Sequence, residues 1–533
     1  MSYALLWIEV LIVLLLWVAS VDAVLAHVRY RLIAAFALIV AWLVPLSVLA
    51  GLTWMTGVLK FSLNISENWF GYTLSLLVGY VIGIVVILGI GRHREAPGLA
   101  RASAEWPRGR LALAFLVAFM LASMTLWNMD LEVRGEAAAV RTEAGALLLA
   151  VVPPQLPDEQ NAATLYEKAF ARLKADPDRK DPQNPLEADS VDPKSADVER
   201  FLTRHEVTLK FLREAAALPV CRFDHDYAHP SITMLLPEMN WCRTAALLLQ
   251  LDARHQMAKQ NVRQALVDIN AMFRLAQGVG QEPLIIGALV SCGIDHLAVY
   301  TLQEALPAVT NDKDLSILHV VDAASESRVI GRALQGEEAF GLSVFSDVAA
   351  GKLTTAALMG ENARGGTPMD ALARGPSALA VRVFFMPQDF VAYRQLMTLY
   401  QDAASKPYAQ GRAMLSQAPP PNGLLTRIIA PALNPFLTQD NLAVAHHAEA
   451  QTAIALTRYR LAHGAFPLKL DALVPEYLDD VPVDPFDGKP LRFVVKPDKC
   501  LIYSVGPDGK DDGGSPYDEK AQTGDIVFSL PLH

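Results

Sequence analysis

Long apolar stretches occupy the start of the chain, and shorter patterns of apolar and polar positions follow them. Four stretches are almost wholly apolar: residues 4–26, 33–54, 70–91 and 111–127. A helix needs roughly 20 apolar residues to cross about 30 Å of hydrocarbon. Seven of the eight tryptophans also precede residue 130, as expected where indole rings lie at the boundary between lipid and water. The pattern therefore predicts a four-helix transmembrane anchor over residues 1–130.

The first predicted span contains two carboxylates, Glu9 and Asp22. Intramembrane carboxylates are candidates for a proton or ion relay. Both residues, however, lie near an end of the predicted span, and the other spans contain no basic partner. No basic segment precedes the span as it would in a cleaved signal peptide. We therefore interpret this stretch as a retained membrane helix of an anchor and not as part of a transporter.

The basic residues between the spans predict the orientation of the anchor. They are concentrated in the first and third connections: Arg29, Arg31, Arg92, Arg94, Arg101, Arg108 and Arg110. The second connection has only Lys60, which is balanced by Glu67. Positively charged loops remain on the cytoplasmic side. We expect a multi-pass protein of the bacterial inner membrane, with both termini and the large C-terminal region in the periplasm.

The composition changes after Asp130 to that of a folded soluble protein. Residues 131–196 are predicted to be a partly ordered lead-in, and residues 197–417 a mostly α-helical domain that resembles helical repeats without a fixed period. Its clearest element is a helical hairpin that breaks at Asn261. A last long helix, 439–463, ends before Gly464, a usual C-terminal cap. This helix is the first long element of a predicted α+β module, residues 424–533.

Charge and cysteine content exclude several classes of function. The net charge of −10 disfavours nucleic acid as a partner, because phosphate binding requires a concentrated basic surface. The four cysteines show no C-x-x-C spacing, so no zinc or redox motif is recognisable. A long-range disulfide stays compatible with the sequence in an oxidising compartment. No G-x-S-x-G, P-loop or dinucleotide fingerprint is present.

Three local features of the C-terminal module point to a known family. Phe466 and Pro467 follow a helix that ends in Gly464, an Asp484-Pro485-Phe486 turn comes next, and the last feature is the loop Ser504-Val505-Gly506-Pro507-Asp508-Gly509. Together they resemble the globular domain of the major pseudopilin of type II secretion systems. The resemblance implies an α+β fold, a bound calcium ion and protein partners in a secretion or pilus-type assembly.

One departure from that family concerns polymerisation. A pseudopilin begins with an apolar helix that inserts into a fibre. Here the module is preceded by LNPFLTQDNLAVAHHAEA, which is too polar to lie in a membrane or at a fibre core. We therefore expect a copy of the module that does not polymerise, so that the transmembrane anchor takes the place of the pilin stalk.

A cation site is also predicted from the residues themselves. Six carboxylates lie between residues 508 and 525, interspersed with glycines: Asp508, Asp511, Asp512, Asp518, Glu519 and Asp525. Crowded carboxylates in a glycine-rich loop suit calcium, which takes oxygen ligands. An EF-hand is rejected because Lys510 occupies the third position and strands are expected on both sides. A solvated acidic turn without metal stays open as the alternative.

The resemblance assigns roles within this loop. Calcium in the pseudopilins is held by aspartates and main-chain carbonyls. Carried over to this sequence, the ligands are Asp508, the carbonyl of Val505, and Asp525. The loop is longer here than in the family, so the contributions of Asp511 and Asp512 stay open.

Two histidine-containing segments are alternative candidate sites. The segment from Cys221 to His229 gathers Cys, Asp and His, and a membrane-bound metal-dependent hydrolase using Asp224, His225 and His229 is the rival hypothesis. The pair His446-His447 is interpreted as structural, because adjacent histidines point to different faces of a helix. We expect a structural or adaptor protein, without an assigned catalytic residue, that presents a calcium-stabilised module in the periplasm.

Overall fold

The computed structural model describes residues 108–532, apart from 182–183, 187–190, 232–233, 235, 319–322, 351, 353–385, 432 and 519. Contacts divide the chain into two compact units, Met1–Thr125 and Leu126–His533. Of the first unit, only the beginning of one helix is described. The predicted spans 4–26, 33–54 and 70–91, with Glu9 and Asp22, lie outside the described residues. The described residues therefore give no support for the four-helix anchor, which stays a prediction.

The described part of the chain is mostly helical. The N-terminal helices are α1 (Arg108–Val151), α2 (Ala162–Ala175), α3 (Ala196–Arg204), α4 (Glu206–Ala215), α5 (Glu238–Ala258), α6 (Val262–Val279) and α7 (Ile285–Ala305). The helices that follow are α8 (Asp312–Leu315), α9 (Ala323–Ala349), α10 (Met386–Ala404), α11 (Tyr408–Gln417), α12 (Leu424–Ile429) and α13 (Leu433–His463). The predicted helical class of the region before the C-terminal module is confirmed.

Several helix ends follow from local chemistry. The Asn161 side chain accepts a hydrogen bond from the backbone N–H of Ala163 and caps α2, and Ser195 caps α3 in the same way. The predicted break at Asn261 is confirmed, since α5 ends at Ala258 and α6 begins at Val262. The predicted end of the last helix is confirmed as well, with Gly464 at a φ of 80° immediately after α13.

One of the described helices has the length and apolar composition of a membrane span. It comprises Ile285–Ala308, and more than half of its most apolar 18-residue segment is buried inside the protein. It packs against α5, α6 and α13. This environment is that of a core helix. The predicted span 111–127 lies within the helical backbone of α1.

The C-terminal module contains a small sheet, as predicted. Its strands are β1 (Arg492–Val495), β2 (Lys499–Ser504) and β3 (Ile526–Pro531), which pair antiparallel in the order β1-β2-β3. Ile502 lies opposite Phe493 on β1 and opposite Phe528 on β3. Helix α13 packs against β2 and β3. The observed element order is that of an α+β module.

The module and the helices before it share a hydrophobic core. Ile502 and Phe528 from the sheet belong to the same buried cluster as Leu456 on α13, Leu249 on α5 and Phe273 on α6. Each of these side chains is at most 1% exposed. Burying a large apolar side chain stabilises the fold by about 1.5–3 kcal/mol. The sheet of the module therefore shares one core with α5, α6 and α13.

A buried charge cluster ties three of the helices together. Arg213 on α4 donates from Nε to Asp268 on α6 at 2.6 Å and also pairs with Asp252 on α5. Asp268 is fully buried, and burial raises its pKa to about 8. Since an isolated buried carboxylate is costly, the arginine stabilises both side chains in the interior by pairing with each of them.

Candidate functional site

The predicted calcium loop connects β2 to β3 and runs from Val505 to Asp525. Its backbone requires glycine at two points of close approach. Gly506 has a φ of 71°, and a Cβ there would lie 2.7 Å from the carbonyl oxygen of Gly524. Gly524 itself has a φ of 100°. Only glycine adopts such conformations without strain, so the two ends of the loop can meet.

Asp525 organises the loop from its buried end. Its side chain is 0% exposed, and its Oδ2 accepts a hydrogen bond from the backbone N–H of Gly514 at 2.7 Å. Its Oδ1 accepts from the backbone N–H of Asp512 at 3.2 Å. Burial is the main cause that raises the pKa of Asp525. The residue therefore shapes the loop with or without a cation.

Among the residues of the loop, Asp508 gives the strongest indication of a bound cation. Its Oδ1 accepts a hydrogen bond from the backbone N–H of Lys510 at 3.0 Å. Its Oδ2 is buried and has no hydrogen-bond partner among the described residues. An unpaired buried carboxylate oxygen is costly, and a bound cation would compensate for it. The position of Asp508 thus fits the ligand role that the resemblance implies.

The other predicted ligands are held in different ways. Asp511 accepts hydrogen bonds on Oδ1 from the Tyr503 hydroxyl at 3.1 Å and from the backbone N–H of Gly513 at 3.0 Å. The side chain of Asp512 is exposed, and its backbone carbonyl accepts from the Ser515 hydroxyl. Val505 is buried, and its backbone N–H donates to Asp484 at 2.9 Å.

The described residues contain no group of three or more His, Cys, Asp or Glu side chains placed to hold a metal ion. The five predicted ligands are therefore not assembled as a cage of carboxylates. Calcium accepts main-chain carbonyls as readily as carboxylates. A site that combines Asp508 and Asp525 with carbonyl oxygens stays compatible with this geometry.

Asp484 fixes the base of the loop. It is fully buried, and its Oδ1 accepts from the backbone N–H of Phe486 at 2.9 Å and from the Ser504 hydroxyl at 2.8 Å. Its Oδ2 accepts from Arg492 at 2.7 Å and from the Val505 N–H. The Asp484-Pro485-Phe486 turn thus holds the end of β2.

The residues of the rival hydrolase site point in different directions. His225 Nε2 lies 2.8 Å from Glu238 Oε1, whereas His229 pairs with Asp226 on the surface. The Cys221 thiol is buried, and burial raises its pKa far above the usual range, which disfavours a reactive thiolate. The thiols of Cys221, Cys242 and Cys500 are free and buried. The structure does not join Asp224, His225 and His229 into one set of ligands.

A buried acid, Glu282, lies beside this segment. The Tyr227 hydroxyl donates to Glu282 Oε2 at 2.8 Å. Glu282 is 4% exposed, and burial raises its pKa to about 7. Its other oxygen, Oε1, has no hydrogen-bond partner among the described residues. No local sequence signal marks this pair, because the two residues are far apart along the chain.

Comparisons with known proteins add no family. The chain matches no protein-family model, no curated protein and no solved structure. The pseudopilin resemblance therefore stays a prediction that rests on the motifs quoted above.

Proposed function

We propose that this protein is a structural or adaptor protein of the bacterial inner membrane. Four N-terminal spans anchor it, and its large C-terminal region lies in the periplasm. There it presents a calcium-stabilised, pseudopilin-like module to a component of a secretion or pilus-type assembly. The proposal assigns no catalytic residue.

The observation that carries the proposal is the position of α13. In a pseudopilin the corresponding helix is the element that enters the fibre. Here α13 contacts α7 and α9 as well as β2 and β3. It also buries polar residues along its length: Asp440, His447, Glu449, Thr452 and Thr457. A helix that is enclosed in this way is unsuited to polymerisation and suited to holding the module in place.

The module offers exposed apolar side chains to a partner. Leu468, just after α13, is 88% exposed, and Val483, next to the Asp484 turn, is 55% exposed. Exposed apolar residues bury surface when a partner binds. We assign the partner surface to this part of the module.

Calcium is the proposed cofactor of the module. Asp508, Asp525 and the carbonyl of Val505 would hold it, and the ion would neutralise the crowded carboxylates of the loop. The buried and unpaired Oδ2 of Asp508 supports this assignment. The chain's own contribution is to orient the ligands, which Asp525 does through its bonds to Gly514 and Asp512.

Site-specific photo-crosslinking in intact membranes tests the adaptor role. A photoreactive residue is placed at Leu468 in the full-length protein, and a matched variant carries it at Val207 on α4, which is 43% exposed. We expect adducts with a component of a secretion or pilus-type assembly at position 468 and none at position 207. Identical adducts at both positions, or none at 468, would contradict the proposal.

A further inference from the structure

Two histidines from different helices meet where α7 lies against α13. His296 projects from α7, and His446 projects from α13. His296 Nδ1 lies 3.3 Å from His446 Nε2, and the two ring centroids are 5.0 Å apart. His296 is exposed and the His446 side chain is 18% exposed, so the meeting point is accessible from solvent.

We propose that His296 and His446 bind a divalent transition-metal ion of the zinc type, with Cys292 as the third protein ligand. Zinc binds imidazole nitrogen at about 2.0–2.1 Å, so two nitrogens on a tetrahedral zinc ion are separated by about 3.3–3.4 Å. The observed distance between the two ring nitrogens is 3.3 Å. The two rings are therefore already spaced as ligands of one ion.

Cys292 lies one helical turn before His296 on α7. Residues four apart share one face of a helix, and paired ligands on helices use this spacing. Cys292 is partly exposed. Since no three ligand side chains in the described range are yet gathered around a point, the thiol must turn toward the two histidines when the ion binds.

Glu449 supports this assignment independently. It is fully buried on α13, one turn after His446, and its Oε2 lies 3.6 Å from His446 Nδ1. That oxygen has no hydrogen-bond partner among the described residues. Histidines that bind a metal through one nitrogen usually direct the other toward a carboxylate. Glu449 is thus placed as the positioning carboxylate behind His446.

One further feature prepares the site. The neighbouring residues Asp295 and His447 also contact each other across the two helices, with 3.2 Å between Asp295 Oδ1 and His447 Nε2. This second contact fixes α7 against α13, which holds the ligands in place before the ion arrives.

Metal titration of the full-length protein, purified in detergent and stripped of metal, tests the proposal. Zinc binding is measured by calorimetry, and cobalt(II) is used as a spectroscopic probe. We expect one zinc ion per chain, a tetrahedral cobalt spectrum and a thiolate-to-cobalt charge-transfer band. His296→Ala and His446→Ala are each expected to weaken zinc binding by about tenfold or more, and Cys292→Ser to remove the charge-transfer band.

His229→Ala is the matched control, because His229 is also an exposed histidine but lies beside Asp226. Its zinc affinity should equal that of the wild type. Melting curves without metal check that each variant is folded. If His446→Ala does not fold, the zinc affinity of His296→Ala alone tests the site. Zinc binding that is absent in the wild type, or unchanged in His296→Ala, would overturn the site. A cobalt complex without the thiolate band would overturn the role of Cys292.

Discussion

Glu449 on α13 accepts a hydrogen bond on Oε1 from the backbone N–H of Ser504 at the end of β2, at 3.3 Å. Both residues are fully buried. The contact joins the long helix to the point where the predicted calcium loop begins. It explains how a helix that packs on α7 and α9 can also determine the position of the loop.

Glu449→Ala is expected to lower the free energy of unfolding by about 2–4 kcal/mol, because it leaves a buried N–H without its acceptor and opens a void. Glu449→Gln keeps an acceptor oxygen and should cost less than half as much. Chemical denaturation of the metal-free protein measures both. Equal losses for the two variants would show that the hydrogen bond to Ser504 does not contribute.

The cluster around Arg213 predicts that a single substitution, Arg213→Ala, strongly lowers the free energy of unfolding. Arg213→Ala leaves Asp252 and Asp268 buried without their partner, and removing one member of a buried ion pair costs about 3–5 kcal/mol. Arg200→Ala is the control, since Arg200 and Asp197 form an exposed pair whose loss should cost less than about 1 kcal/mol. Similar denaturation midpoints for the two variants would contradict the role assigned to Arg213.

Glu282 predicts a specific dependence of stability on pH. Burial raises its pKa in the folded protein from the ordinary value of a glutamate to about 7. An acid whose pKa is raised in the folded protein loses its proton at a lower pH in the unfolded state. The free energy of unfolding therefore falls as the pH rises from the ordinary pKa of a glutamate to about 7. Glu282→Gln should remove this loss and stabilise the protein at pH 8 by on the order of 2 kcal/mol.

The Glu282→Gln effect is measured as the difference in unfolding free energy from wild type at pH 4 and at pH 8. The difference should be small at pH 4 and favour the variant at pH 8. Glu159→Gln, at an exposed position, serves as the control and should show no such change. A Glu282→Gln variant with the pH profile of the wild type would refute the assigned shift.

The predicted membrane topology can be tested with two introduced cysteines. Ser66→Cys lies in the connection predicted to face the periplasm, and Ser103→Cys in the one predicted to face the cytoplasm. Both are made in a variant whose four native cysteines are replaced by serine, because Cys292 is partly exposed. A thiol reagent that cannot cross the inner membrane should then label the first variant in spheroplasts and the second only after lysis. The reverse pattern, or equal labelling, would contradict the orientation derived from the basic residues.

Local patterns in the sequence predicted the regular elements of the fold. The break at Asn261 and the end of the last helix before Gly464 are both determined by residues within one or two turns. The start of that helix, predicted at Gln439, lies at Leu433 in the structure. The continuation of α1 to Val151 was also missed, because Asp130 and Glu132 interrupt the apolar pattern without interrupting the helix.

The candidate sites depend on contacts that sequence patterns do not reveal. Loop composition identified Asp508 and Asp525 as candidate ligands. The start of that loop, however, is held by Asp484 and Glu449, which lie in other parts of the chain and accept hydrogen bonds from the backbone of Val505 and Ser504. His296 and His446 are 150 residues apart and meet only because α7 packs on α13. From the sequence alone the tandem histidines are interpreted as structural, because adjacent residues point to different faces of a helix.

If the loop binds calcium as proposed, its two principal aspartates, Asp508 and Asp525, have different roles. Asp525→Asn weakens the bonds to the backbone N–H groups of Gly514 and Asp512, so it should destabilise the protein even without metal, by about 1–3 kcal/mol. Asp508→Asn should leave the metal-free protein nearly unchanged, because one of its oxygens has no partner to lose. Asp479→Asn, exposed and outside the loop, is the control.

Thermal melting of the full-length protein in detergent, with calcium and with a calcium chelator, tests the central claim most directly. A ligand that binds only the folded state must raise its stability. We expect calcium to raise the melting temperature of the wild type and of Asp479→Asn, and to leave that of Asp508→Asn unchanged. Equal melting temperatures of the wild type with calcium and with chelator would contradict the account.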